Sequence, residues 1–207
     1  MLLAPVLVAL EGIDASGKTT LSAHLACTLR YRGYTPVQLV EPSYSPRGRA
    51  IRRCLAAPVA ASDDELHALF TADRRHQVDT KLRPLLGLAR SHPELALVLI
   101  QDRSYFSTAA YQRATAPIEP TIAEQEEFAP RPEVVILLDL PVETAVARQR
   151  IRAPQTADPN LASLRRARDS YLAMATLFAF DVRDATTPID TLTTSLADRY
   201  WPKIEVP

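Results

Sequence analysis

Short unbroken apolar runs alternate along this chain with segments whose apolar residues recur every three or four positions. The runs are PVLVAL (5–10), VQLV (37–40), LALVLI (95–100) and EVVILLDL (133–140). Apolar residues at consecutive positions predict strands buried on both faces, which is the pattern of a parallel sheet covered by helices. The first helix is expected from Lys18 to Gly33, where Leu21, Leu25, Ala26 and Leu29 share a face and Gly33 suits the C-terminal cap. Residues 43–49 read as a loop and 51–57 as a short helix stopped by Pro58. Ser62 followed by Asp63, Asp64 and Glu65 predicts a capped start to a long helix reaching about residue 89, bent or restarted at Pro84. Further helices are expected over 104–114, 121–128, 142–152, 161–178 and 189–199, with an edge strand near 179–183. The strand–helix alternation has no linker long enough to separate domains, so residues 1–207 are expected to form one α/β unit.

Formal charge cancels, with 24 basic against 24 acidic side chains, so no general attraction to nucleic acid or to an acidic membrane is expected. The N-terminal apolar run has no basic flank and stops too early to span a bilayer; a cytoplasmic protein is expected. Cys27 and Cys54 lie in no metal-binding spacing, and each is expected to act as a small buried hydrophobe.

The chemistry concentrates after the first strand. Gly12-Ile13-Asp14-Ala15-Ser16-Gly17-Lys18-Thr19, followed by Thr20, matches G-x-x-x-x-G-K-[ST] between a strand and a helix. Such a loop turns its backbone N–H groups toward phosphate, and the helix dipole favours the anion. Lys18 is expected to neutralise β/γ-phosphate charge, and the Thr19 hydroxyl to reach Mg²⁺. The fold implied is a three-layer α/β/α arrangement of the P-loop NTPase type with a parallel sheet of about five strands. The motif specifies a nucleoside triphosphate, not the reaction. Asp14 within the loop is expected to meet Mg²⁺ or a substrate hydroxyl.

Asp102 and Arg103 directly follow the third strand, where open α/β sheets gather ligand groups. Asp102 is expected to hold Mg²⁺ through water, and Arg103 to clamp an acceptor phosphate. Phe70 and Arg74 stand one helical turn apart, a pairing suited to stacking on a planar base and donating to its carbonyl; an aromatic turned into the core is the other reading of the same spacing. Arg148, Arg150 and Arg152 precede a Pro-containing loop. This segment, about 148–160, suits a lid whose arginines meet charge on a transferring phosphoryl group.

Taken together, EGIDASGKTT (11–20), EPSYSPRGRAIR (41–52), LFTADRRH (69–76), DRSYFSTAAYQ (102–112) and RPEVVILLDLPVETA (131–145) resemble the thymidylate kinase family over most of the chain. The resemblance implies transfer from ATP to dTMP with Mg²⁺, and a homodimer. It implies that Asp14 lies near the acceptor sugar and phosphate, and that Arg103 binds the acceptor phosphate. Phe70 would stack on thymine and Arg74 bind its carbonyl. Thr108 and Gln112 would face the base, Tyr111 lie beneath the deoxyribose, and Glu41 and Arg52 flank the pocket. Ala15-Ser16 stand where some members carry a phosphate-loop arginine, so the resemblance is to the bacterial-type arrangement with catalytic lid arginines. The chain departs from the family at Val40, at Ser43-Tyr44-Ser45 and at Ser104. Two alternatives stay open: a kinase of this fold with another nucleotide or nucleoside acceptor, and a non-catalytic nucleotide-binding regulator. The segment 183–187 is the candidate for the adenine side.

Overall fold

The computed structural model describes residues 6–57, 61–113, 116–152 and 161–204. Its strands are β1 (Leu7–Glu11), β2 (Thr35–Val40), β3 (Leu97–Asp102), β4 (Val134–Asp139) and β5 (Asp181–Asp184). They pair in the order β2-β3-β1-β4-β5, and every pairing is parallel. β1 and β3 are buried along their whole length, as their unbroken apolar runs require. β5 alternates between half-buried and exposed residues, the signature of an edge. The helices are α1 (Lys18–Tyr31), α2 (Pro46–Leu55), α3 (Asp63–Gln77), α4 (Arg83–Ser91), α5 (Tyr105–Tyr111), α6 (Ile118–Glu126), α7 (Val142–Arg152), α8 (Leu161–Phe178) and α9 (Ile189–Tyr200). Each parallel crossover carries at least one of them, as a parallel sheet demands.

From β1 the chain crosses to β2 on one side of the sheet, and from β3 it crosses to β4 on the other. The carboxyl ends of β1 and β3 are therefore a topological switch point, where a crevice opens for ligands. Leu10 pairs with Asp102 across this pair, so Glu11 and Asp102 finish side by side at the mouth of the crevice.

Four expectations need correction. VQLV (37–40) was expected to be buried on both faces, but β2 is an edge of the sheet, with Thr35 and Gln38 exposed. α2 begins at Pro46, within the expected loop, because the Ser45 side chain accepts hydrogen bonds from the N–H groups of Arg47 and Gly48 while Pro46 fills the first helical position. The long helix after Ser62 starts with the full capping box expected, but it does not run on to 89. A π-helical segment, Val78–Leu82, joins α3 to α4. Pro84 has no N–H to give, and its ring crowds the carbonyl four residues back, so the ladder widens there. Neither cysteine is buried: Cys27 is exposed and Cys54 is intermediate. α1 turns Leu21, Leu25, Ala26 and Leu29 inward, and Cys27 falls off that stripe. Pro58 and residues 153–160 of the expected lid lie outside the described residues.

Candidate functional site

The loop between β1 and α1 is shaped by three residues with positive φ: Gly12 (140°), Ala15 (65°) and Gly17 (102°). Gly12 is required twice over. Its φ suits glycine, and a Cβ there would stand 2.6 Å from the Leu138 carbonyl oxygen. α1 has no side-chain cap at Gly17, so its first N–H groups face the crevice unclaimed by any side chain. That is the arrangement a phosphate completes. Lys18 is buried beside the loop and donates to the Gly12 carbonyl (2.9 Å), the Ile13 carbonyl (2.8 Å) and Ser16 Oγ (3.3 Å). Burial, reinforced by the nearby Arg103 cation, pushes the Lys18 amine down to about 7. Thr19 Oγ1 donates to Asp102 Oδ2 at 2.5 Å, joining the start of α1 to the end of β3.

Arg103 follows Asp102 in a left-handed conformation (φ 74°), with its N–H held by the Leu10 carbonyl. Its guanidinium donates to the Asp14 carboxylate, to Ser107 Oγ (3.1 Å) and to the Gly12 carbonyl (3.4 Å), and lies 5.4 Å from the Tyr111 ring centre. The Tyr111 hydroxyl accepts from the Asp14 N–H at 3.0 Å. Burial pushes that phenol up to about 12, against the opposing Arg103 charge, so it keeps its proton at neutral pH.

Three cavities meet along this crevice. One of about 480 Å³ is lined by Ala15, Gly17, Arg148, Ile151, Thr186 and Thr187, among others. Arg148 spans its floor, donating to the Ala15 carbonyl (3.2 Å) and the Ala185 carbonyl (3.0 Å). The second, about 280 Å³, is walled by Lys18, Thr19, Glu41, Arg52, Asp102 and Arg103. It shares Ala15 and Gly17 with the first. The third, about 250 Å³, is more apolar, with Pro42, Leu55, Phe70, Tyr111 and Gln112 in its wall. Asp14, Pro42 and Arg103 belong to both the second and the third.

A profile of the thymidylate kinase family matches residues 10–196. The chain belongs to the thymidylate kinase family. It is 40% identical over 147 residues to a thymidylate kinase of Xanthomonas euvesicatoria, covering 71% of this chain and 62% of that protein. The chain thus spans about three fifths of the Xanthomonas relatives, 62% and 61% of their lengths. A thymidylate kinase of Xylella fastidiosa is 37% identical over 191 residues, 90% of this chain and 86% of that one. A probable thymidylate kinase of Thermococcus kodakarensis is 34% identical over 182 residues, 83% and 84% respectively.

Not every residue assigned through the thymidylate kinase resemblance lies on the cavity wall. Phe70, Tyr111 and Gln112 do; Arg74 and Thr108 are not lining residues of the apolar cavity. Arg74 is buried, and its guanidinium is shared out: to the Glu41 carboxylate from Nε (3.0 Å) and Nη2 (2.6 Å), to Gln125 Oε1 (2.6 Å) and to Thr108 Oγ1 (2.9 Å). Arg52 supports the acceptor loop, donating to the Ser43 carbonyl at 2.7 Å and to the Pro42 carbonyl. Arg150 is exposed on α7 and does not line the first cavity; the Arg152 side chain lies outside the described residues. Of 183–187, residues Ala185, Thr186 and Thr187 do line that cavity.

Two buried carboxylates, Glu11 and Asp73, support the site without having been singled out as site residues from sequence. Glu11 is fully buried at the end of β1 and accepts from Ser104, Ser107 and Tyr171. Burial raises its carboxyl, against the hydrogen bonds that favour the anion. A charged residue closing an apolar strand was the available signal. Asp73 is buried too, and accepts from the N–H and hydroxyl of Ser43 (2.7 and 2.6 Å) and from the Ser45 hydroxyl (2.9 Å). The departure at 43–45 is therefore a hydrogen-bonded loop. Among the described residues no helix is long and apolar enough to cross a membrane.

Proposed function

We propose that this chain transfers the γ-phosphoryl group of ATP to dTMP, giving ADP and dTDP. The observation that carries the reading is Arg103, which lies on the wall shared by the phosphate-side cavity and the apolar cavity of Phe70 and Tyr111. A molecule with an aromatic base at one end and a phosphate at the other suits that pair of compartments. The names of the relatives point to the same acceptor. Deoxyribose would lie against Tyr111, which lines the apolar cavity. ATP would place its polyphosphate on the phosphate loop and Lys18, and its base in the cavity lined by Thr186 and Thr187.

The donor set fits Mg²⁺. A threonine hydroxyl and a carboxylate, in contact beside the phosphate loop, are hard oxygen ligands, and Mg²⁺ takes few protein ligands when phosphates supply the rest. Thr19 and Asp102 would hold it, and it would neutralise β/γ-oxygen charge. Lys18 orients the polyphosphate, Arg103 holds the acceptor phosphate, and Arg148 brings a third cation to the donor side. No general base is needed, because the acceptor phosphate oxygen is already anionic at neutral pH. Positioning and charge stabilisation supply the acceleration.

The test is ATP consumption with Mg²⁺ and dTMP, dUMP, dCMP, dGMP, the ribonucleotide of thymine and thymidine offered in parallel. A strong preference for dTMP is expected. Turnover with a different acceptor would retain the transfer and refute its specificity, and ATP binding without turnover on any of them would overturn the kinase reading.

A further inference from the structure

Glu11 accepts four hydrogen bonds that together tie three parts of the chain to one carboxylate. Its Oε1 accepts from the Ser104 N–H (2.8 Å) and the Ser104 hydroxyl (2.7 Å), and its Oε2 from Ser107 Oγ (2.7 Å) and the Tyr171 hydroxyl (3.0 Å). These donors come from the turn after β3, from α5 and from α8. Ser107 Oγ and Tyr171 Oη are also 2.8 Å apart, and one guanidinium nitrogen of Arg103 reaches both, at 3.1 and 3.5 Å.

The polarity of this network is one-directional. Arginine can only donate, so the hydroxyls of Ser107 and Tyr171 must turn lone pairs toward it and send their own protons elsewhere. Glu11 Oε2 lies within reach of both. On the other side, the Ser104 N–H is a donor that cannot be reversed. A carboxylate, which only accepts, satisfies both sides at once. Ser104 has a further part. Its hydroxyl both caps α5 and donates to Glu11. It immediately follows Arg103, whose backbone holds a left-handed conformation that a non-glycine residue adopts only when its surroundings enforce it.

We propose that Glu11 is a positioning residue for the acceptor clamp: through Ser104 it fixes the turn that carries Arg103, and through Ser107 and Tyr171 it aims the Arg103 guanidinium into the acceptor site. The proposal rests on the reading of Arg103 as the acceptor-phosphate ligand. Glu11 itself touches no substrate. Because Tyr171 belongs to α8, the same carboxylate also anchors to the clamp the helix that follows the segment 153–160.

Glu11→Gln keeps shape and removes the polarity. Whichever way the amide turns, its NH₂ confronts either the Ser104 N–H or the hydroxyls whose lone pairs serve Arg103. The expected result is a rise of about tenfold in KM and in Kd for dTMP, with KM for ATP held within about twofold. In an Arg103→Ala background the same change should add less than about twofold, because its route is gone. Calorimetric dTMP titration gives the Kd values even where turnover is too low to follow. Should Glu11→Gln fail to fold, Tyr171→Phe removes one donor at constant bulk; about a threefold rise in dTMP Kd is expected, again erased by Arg103→Ala. An unchanged acceptor affinity, an equal loss for both substrates, or an effect that persists without Arg103 would overturn the proposal. If Arg103→Ala alone leaves dTMP binding intact, the reading of Arg103 falls and the proposal with it. If Arg103→Ala weakens dTMP and neither Glu11→Gln nor Tyr171→Phe does, only the role of Glu11 falls.

Discussion

Lys18 combines two properties that set its chemistry. It is buried under the phosphate loop with three oxygen acceptors, and its amine is pushed down to about 7. A triphosphate beside it adds negative charge and raises that value, so ATP binding takes up a proton wherever the amine starts neutral. Calorimetry in buffers of different ionisation heat should show uptake of roughly one proton near pH 8 and almost none below about pH 6. Uptake that does not change with pH would contradict this. The sign for stability is the opposite of a salt-bridged lysine: the unfolded chain binds more protons between about 7 and the ordinary 10.5, so this group's contribution improves as pH rises through that window. Lys18→Ala should reduce turnover by about 10²–10³-fold, as loss of one preorganised charge contact does. Its thermal transition should be preserved or raised, since a desolvated cation is removed; a variant that keeps wild-type turnover would deny Lys18 its role.

At the scale of elements, the acceptor side depends on how α2 leaves its loop. Gly48 is an ordinary helical position by φ, yet a Cβ there would stand 1.8 Å from the Ser43 carbonyl oxygen. That oxygen accepts from Arg52, and the Ser43 N–H and hydroxyl are bonded to Asp73. The close approach of helix and loop therefore leaves no room for a methyl group. Gly48→Ala gains helix propensity of about 1 kcal/mol, but the clash should outweigh it and leave the protein about 1–3 kcal/mol less stable. Chemical denaturation measures the balance, and a net stabilisation would show that the loop yields freely. This contact also explains what could be read from sequence here. Ser45-Pro46 was a cap and first-turn pair in plain view, so an earlier start to α2 was legible. Gly48 was not, because its reason is a long-range approach with no local pattern. The inner strands β1 and β3 and the capping box at Ser62 were legible because burial on both faces and capping leave local marks. The π-helical segment had only Pro84 to announce it, and a proline does not say how the helix will relieve the crowding.

Over the whole molecule, the sheet order brings residues distant in sequence to one crevice, and this is where sequence reading reached its limit. The phosphate loop was legible because its residues are contiguous. Arg103 was legible from its place after β3 and Phe70 from its spacing to Arg74, whereas Tyr111 became legible only through resemblance, and the pairing of Glu11 with Tyr171 spans 160 positions. Arg74 had the right chemistry for a base carbonyl, and only the fold shows its guanidinium also bonded to Glu41, Gln125 and Thr108. The crevice has one further consequence. Its three cavities form a continuous series, joined first by Ala15 and Gly17 and then by Asp14, Pro42 and Arg103. A single ligand carrying adenosine and thymidine joined through a polyphosphate chain should therefore occupy donor and acceptor positions together. The second contact is then intramolecular, and affinity should exceed that of ATP or dTMP alone by about 10²–10⁴-fold when the chain matches the span. Binding to the folded state alone raises the thermal transition in proportion to the logarithm of ligand over Kd, so a chain-length series read by thermal shift should show an optimum. A series in which length has no effect, or in which the joined ligand binds no tighter than ATP, would mean that the cavities are not used as one track. Arg103→Ala should flatten the optimum, because that side chain borders both the phosphate-side and the acceptor cavity.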